Sequence, residues 1–463
     1  MKTRHLRMKI STVILFFFCC VSFAIKPAWS SDVPGVDVMQ LSAEYWIKKL
    51  ETPHKPLLNQ TEIAQYNQAL IESSPHVADP LLVSETLSKQ SLLTMTQSIR
   101  KPPSSPRFYA DGQPVTKTDY EAYESNINLA QISNENAVRY GLVVERASLR
   151  KYPTNDRVFN AEMDTDLDRF QESGIFPGAA VAILLTSKDK KWLLVQAYHY
   201  VAWIAADTVA IGDKQRIADY VNAENFLLVT GSKIYTNYVP DLPAISQLQL
   251  DMGVRLPVVP QADIPDQLYG QNPYSSNVVY LPTRDDSGAL HIVKAMIARS
   301  NDVHLGYLPF TTANIVTQAF KFLGERYGWG HDYNGRDCTG FVSEIYQSFG
   351  ILMPRNSGAQ GNSESGINFR FDEAAGKNEK LTTLPTLQVG DLIYIPGHVL
   401  MYLGEEKGVP YVIHDVKGLA YFNTKGEFYR GTLNGVAVTP LLPLQVSETK
   451  SYLDSTYNIK RIR

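Results

Sequence analysis

The sequence predicts a multidomain chain with a helical N-terminal region, two small β-barrels and a C-terminal α+β domain. Three observations carry that reading. The 463 residues exceed what one hydrophobic core holds, so two to four domains are expected. Short apolar runs broken by turn residues fill the stretch 134–259, which argues for small barrels rather than a parallel sheet. Beyond Ser300 the pattern changes to helices followed by strands.

The elements follow in chain order. Lys2, Arg4, Arg7 and Lys9 precede an apolar run from Ile10 to Ala24, and Ala28-Trp29-Ser30 offers a cleavage site, so residues 1–30 read as an export signal. The run is short for a membrane helix, and no later stretch is apolar enough to span a bilayer. Residues 38–130 read as the helical region, with Asn59 and Glu62 as a capping box ahead of Ile63, Tyr66 and Leu70. Within it Lys101-Pro102-Pro103-Ser104-Ser105-Pro106 reads as a linker. Residues 134–212 form the first expected barrel, with Ala180–Leu185 and Trp192–Tyr198 as a hairpin turning at Ser187-Lys188-Asp189-Lys190. Residues 215–265 form the second, from strands at Phe226–Thr230, Lys233–Asn237 and Val254–Val259. The last domain, 300–440, holds helices at Ala313–Leu323 and after Cys338, then strands at Leu392–Ile395, Val399–Leu403 and Tyr411–His414. A formal net charge of -3 gives no electrostatic case for a nucleic-acid partner.

Removal of the leader takes Cys19 and Cys20 with it and leaves one cysteine, Cys338. A lone thiol in an exported protein is a liability unless it has work to do. Phe341, Val342, Ile345, Tyr346 and Phe349 recur at helical spacing, so Cys338 sits at a helix start, where the dipole is expected to favour the thiolate. A free cysteine is also commonly a small buried hydrophobe. His398 opens one strand and His414 ends the next, which makes them neighbours in an antiparallel hairpin. A thiol, a histidine and a second polar group are what nucleophilic acyl transfer needs. The same three side chains could supply zinc ligands, but no HExxH or CxxC pattern accompanies them. No cofactor is expected.

Tyr327-Gly328-Trp329-Gly330, Asp337-Cys338-Thr339-Gly340-Phe341-Val342, Pro354-Arg355-Asn356-Ser357 with Gln360, Gly390-Asp391-Leu392, His398-Val399 and Ile413-His414 together resemble the NlpC-type cell-wall cysteine peptidases. Upstream, Ser148-Leu149-Arg150, Tyr152-Pro153-Thr154, Asp168-Arg169-Phe170-Gln171 and the Trp192 hairpin resemble the bacterial SH3-like domain that precedes the catalytic domain in one branch of that family. The resemblance implies two SH3-like barrels ahead of a papain-like domain, with Cys338 as nucleophile, His398 as base and His414 orienting it. It implies Tyr327 near the oxyanion, with Thr339 in place of the more usual serine. In relatives that act on free stem peptides, Asp337 would accept the N-terminal amine, and Tyr200, three residues before Trp203, would cap the groove. The expected reaction is hydrolysis of peptidoglycan stem peptides at the γ-D-glutamyl–diamino acid bond. The alternatives are an N-acetylmuramoyl-L-alanine amidase or acyltransferase on the same fold, or a non-catalytic wall-binding protein. The expected location is outside the cytoplasm, with the periplasm favoured.

Overall fold

The computed structural model describes residues 33–463 apart from 102, 373 and 374. The expected leader, with Cys19 and Cys20, lies outside the described residues. No helix among the described residues is long and apolar enough to cross a membrane.

The N-terminal region divides between two neighbours. Its first part clasps the C-terminal domain: Trp46, on the short helix Ala43–Ile47, is buried against Tyr411 with ring centroids 5.4 Å apart. Strand Pro56–Leu58 pairs with Phe310–Thr311. Helix Gln60–Ser73 starts at the capping box formed by Asn59 and Glu62 and buries Ile63 and Leu70. Helices Lys89–Arg100 and Lys117–Asn126 instead pack on the first barrel, where Leu92, Ile99, Tyr123 and Ile127 share a core with Tyr140 and Trp203. The 38–130 stretch therefore has no single core of its own.

The first barrel is a seven-stranded sheet from Arg139–Val143 to Val209–Gly212. Its hairpin Ala180–Thr186/Trp192–Gln196 forms where expected, and Lys190 adopts φ 63° in the turn. The second β-unit pairs Phe226–Val229 with Arg255–Pro257 and with Val303–Leu305. A long hairpin, Ser276–Arg284 with Leu290–Ala298, completes it. Leu227, Leu256, Val279, Leu281 and Ile297 fill one core, so the expected boundary at 265 falls inside the unit, which runs on to Leu305.

The C-terminal domain packs helices Thr312–Phe320 and Cys338–Gln347 on a six-stranded antiparallel sheet. The strand order is Ile367–Arg370, Asn458–Arg461, Leu392–Ile395, His398–Glu406, Val409–Phe422, Phe428–Pro440. The last strand of the chain pairs with Leu392–Tyr394 near the middle of that order. The domain therefore extends past the expected end at 440. Phe341, Val342, Ile345, Tyr346 and Phe349 are all buried on this sheet, as their spacing predicts. Each such side chain stabilises the packing by roughly 1.5–3 kcal/mol.

Candidate active site

Asp337 caps the Cys338 helix: its backbone is extended (φ -99°, ψ -178°) and its carboxylate accepts the Gly340 N–H at 2.9 Å. Cys338 is a free thiol, 7 % exposed. Burial, and then the charge of Asp337, push this thiol up to about 12, against the hydrogen bond it receives from the Val399 N–H. The helix start therefore does not yield the resting thiolate that the sequence led us to expect. Desolvation outweighs the dipole here because the thiol is closed off from water and an anion sits beside it.

The Val399 N–H contact places the thiol at the start of the strand His398–Glu406. His398 Nε2 and His414 Nδ1 are 2.9 Å apart, and His414 Nε2 lies 3.1 Å from Thr439 Oγ1. His414 sits mid-strand rather than at a strand end, because Val409–Phe422 runs eight residues further than its apolar start suggested. Burial holds His398 down to about 4 and His414 well below its usual value, so both rings rest neutral. One set of tautomers leaves a lone pair on His398 Nδ1. In it His398 Nε2–H donates to His414 Nδ1, and His414 Nε2–H donates to Thr439 Oγ1. With His398 Nε2 and His414 Nδ1 spent on each other, the pair is poorly arranged to share an ion. Among the described residues no three metal-ligating side chains converge.

Two tyrosines flank the thiol. Tyr327 is buried, and burial together with Asp337 and Cys338 raises its phenol well above 10, so the hydroxyl stays protonated and able to donate. Tyr452, which follows the expected domain end, sets its ring at a steep angle to His398 (centroids 6.1 Å) and His414 (6.5 Å). Burial and the charge of Cys338 raise it to about 12. Neither Tyr452 nor Thr439 was legible from the sequence, since nothing in their local pattern marks them.

Asp337 is not an open anion. Arg355 Nη2 reaches its Oδ2 at 2.6 Å and Nη1 its Oδ1 at 3.2 Å, while the Gly330 N–H and Thr339 Oγ1 also donate to it. Arg355 first holds its carboxyl far below the usual range against the cost of burial. Thr339, the departure from serine, uses its hydroxyl in this cluster. Arg355 also donates to Ser173 Oγ of the first barrel at 2.7 Å.

The barrel strand Gln171–Ile175 thus docks, through Ser173, on the arginine that pairs with the cap of the Cys338 helix. Gly174 N–H donates to His331 Nδ1 at 3.1 Å, and His331 Nε2 meets Glu344 on the nucleophile helix at 3.1 Å. Both contacts need glycine. A Cβ at Gly174 would lie 2.7 Å from His331 Cβ, and one at Gly340 2.7 Å from His331 Nε2. Next along the strand, Glu172 accepts from the Tyr200 hydroxyl, and Tyr200 also bonds Asn356 of the catalytic domain. Tyr200 therefore spans the barrel and the catalytic domain. Burial raises the Glu172 carboxyl above its ordinary value. The sequence singled out Tyr200 but not Glu172.

With this geometry the comparisons with known proteins agree. Residues 324–436 match the model of the NlpC/P60 family. The chain carries an NlpC/P60 domain. Residues 157–205 match the SH3 domain of SH3b1 type, within the first barrel. A γ-D-glutamyl-L-lysine dipeptidyl-peptidase of Bacillus cereus is 29% identical over 201 residues, covering 41% of this chain and 50% of that protein. Dipeptidyl-peptidase 6 of Lysinibacillus sphaericus is 32% identical over 93 residues, 20% of this chain and 29% of that one. The chain spans about half the length, or less, of these relatives. A solved NlpC/P60 endopeptidase from Photobacterium damselae subsp. piscicida superposes with a TM-score of 0.71 at 19% identity, over 91% of this chain and 96% of that one. That likeness extends the shared fold to nearly the whole described molecule. Tyr452 and Thr439 both lie beyond residue 436, outside the matched domain.

Proposed function

We propose that this protein is an exported cysteine endopeptidase that hydrolyses peptidoglycan stem peptides at the γ-D-glutamyl–diamino acid bond. The observation that carries the reading is the chain from Cys338, beside Val399 and His398, through His414 to Thr439. In the reaction the Cys338 proton passes to His398 Nδ1 as Sγ attacks the γ-carbonyl carbon. The oxyanion is met by the Cys338 backbone N–H and the Tyr327 hydroxyl. His398 then gives its proton to the leaving amine, a thioester remains, and water activated by the same nitrogen releases the acid and restores the thiol. His414 holds the ring and stabilises its charged form.

The bond assignment leans on the named activity of the Bacillus cereus relative. The amine of a free stem peptide finds Asp337 already paired with Arg355, which leaves Glu172 with Tyr200 as the carboxyl available to it. Glu172 ionises readily once an ammonium lies beside it, and an acylated peptide offers it no such charge beyond the Tyr200 hydroxyl it already holds. This favours free peptides over intact wall. Export rests on the basic and apolar N-terminus and the single remaining cysteine; a periplasmic location is part of the proposal.

The test is mass spectrometry of products from L-Ala-γ-D-Glu-diaminopimelate and from the same peptide carrying N-acetylmuramic acid, with the mature protein and with Cys338→Ala. Release of L-Ala-D-Glu from the free peptide alone, lost in the variant, is the expected result. Cleavage at the lactyl–alanine bond would make the protein an amidase, and no cleavage at all would sink the peptidase reading.

A further inference from the structure

Between the Lys101–Arg107 linker and the first barrel lies a pocket of about 280 Å³ walled by Lys101, Arg107, Lys151 and Arg169, with Phe170 against it. Among the described residues none of these four cations is ion-paired. Arg107 spends its guanidinium on Ser105 Oγ and the Pro106 carbonyl, and the Arg169 Nε is buried with no partner. Burial lowers Lys151 and Arg169, and Arg107 lowers both further, against the pull of Glu172 on Lys151 and of Asp164, Tyr327 and Glu162 on Arg169. Two half-buried cations, Lys151 and Arg169, with Arg107 and the exposed Lys101 beside them and no ion pair to any of the four among the described residues, raise the free energy of the fold. Such arrangements cluster where a ligand supplies the missing charge.

The pocket adjoins the groove. Lys151 acts on Glu172, which bonds Tyr200. The Arg169 guanidinium lies over the Trp329 ring, 5.5 Å from its centroid, and Trp329 Nε1 donates to the Gln171 carbonyl. Around Cys338 the charges are already matched: Asp337 pairs with Arg355, Glu325 and Glu344 with Arg336, and Asp251 with Arg146 and Arg336, while burial raises Asp415 well above the usual carboxyl range. Cations paired in this way have little left for a peptide carboxylate, which the unpaired cations of the pocket can take.

We propose that this four-cation pocket is an oxyanion-binding subsite of the groove, which takes a carboxylate of the peptide being cleaved. The source of the oxyanion rests on the peptidase reading; the cation pocket itself does not. A free phosphate shares the chemistry, and the experiment separates the two sources.

Binding is measured by calorimetry on Cys338→Ala protein, which cannot turn over, with and without the added pair Arg107→Gln and Lys151→Gln. The ligands are the free-acid tripeptide L-Ala-γ-D-Glu-diaminopimelate, its fully amidated analogue, and inorganic phosphate alone. The parent is expected to bind the acid about ten-fold more tightly than the amide, and the paired variant to lose that preference with the amide affinity unmoved. Arg107→Glu, at a partly exposed position, removes the same amount of positive charge and is expected to lose the preference as the pair does. Phosphate binding that the paired variant abolishes, with acid and amide equal, places a free oxyanion in the pocket and upholds the site with the other source. Equal binding of acid and amide, with no phosphate binding in the parent, overturns the proposal. Wild-type turnover is scored separately by product mass, so a failed anion site and a failed peptidase reading give different results.

Discussion

Removal of the Arg355 guanidinium, as Arg355→Met, tests how the barrel, the helix cap and the nucleophile are joined. Arg355 is 6 % exposed and makes two bonds to Asp337, one to Thr339 Oγ1 at 2.5 Å and one to Ser173 Oγ at 2.7 Å. Breaking a buried ion pair from one side costs roughly 3–5 kcal/mol, because the other charge stays buried. Asp337 keeps the Gly330 and Gly340 N–H groups and the Thr339 hydroxyl, which argues for the lower end, about 3 kcal/mol. The sign of the pH dependence follows from linkage. Arg355 depresses the Asp337 pKa in the fold, so the pair stabilises above the unfolded value near 3.8 and loses that contribution as pH falls through the folded value. Urea unfolding of Arg355→Met in a Cys338→Ala background should therefore show the full loss at pH 7 and a loss that starts to shrink only below about pH 4, still partly present near pH 3. A double-mutant cycle with Asp337→Asn should return a coupling of the same order. A loss under about 1 kcal/mol at pH 7, or one that pH does not change, would refute the claim that Asp337 is spent inside the fold.

Three further outcomes are expected. Since burial holds His398 down to about 4, the acidic limb of kcat/KM should lie well below pH 6.5; a limb at 6.5 or above would mean that the ring is not desolvated in the free enzyme. Asp415 is fully buried with neither carboxyl oxygen partnered, and burial with Asp337 raises it far above 3.8. The folded state then holds a proton that the unfolded state sheds, so Asp415→Asn should raise the urea midpoint at pH 8 and leave it unmoved at pH 3.5, whereas destabilisation at both would reveal a missed partner. Tyr452→Leu should admit water to His398 and move the acidic limb of kcat/KM upward, while Tyr452→Phe should keep it in place; identical profiles for all three proteins would reduce Tyr452 to packing.

The parts of this molecule that sequence reading reached are those carried by period and spacing. The Cys338 helix, its apolar face and the meeting of His398 with His414 all follow from local geometry, because a helix repeats at 3.6 residues and a hairpin returns on itself. What escaped depends on contacts distant in sequence. The Asp337–Arg355 pair joins a helix cap to a loop 18 residues on, and Arg355 reaches Ser173 across 182 residues. The resemblance offered Asp337 to a substrate amine, and nothing local shows that Arg355 already pairs with it. The boundary at 265 failed for a similar reason: the hairpin Ser276–Arg284/Leu290–Ala298 completes a core begun far earlier in the chain, by Leu227 and Val229 on the strand Phe226–Val229.

The thiol was expected to be reactive at rest, and the fold makes it the opposite. Helix-start N–H groups and Val399 favour the thiolate, but burial and the Asp337 carboxylate oppose them and prevail. His398 is biased the same way, toward its neutral form. A resting thiolate–imidazolium pair is thus disfavoured from both sides, and the proposed reaction couples proton transfer to the attack. Oxidants and disulfide exchange act on thiolates, so a protonated Cys338 is poorly reactive toward them. The barrel has a part in this balance through Ser173 and His331. Ser173 holds Arg355, whose charge offsets that of Asp337 beside the sulfur, and His331 bolts Gly174 to Glu344 on the nucleophile helix. The barrel sits in the electrostatic environment of the thiol as well as in the wall of the groove.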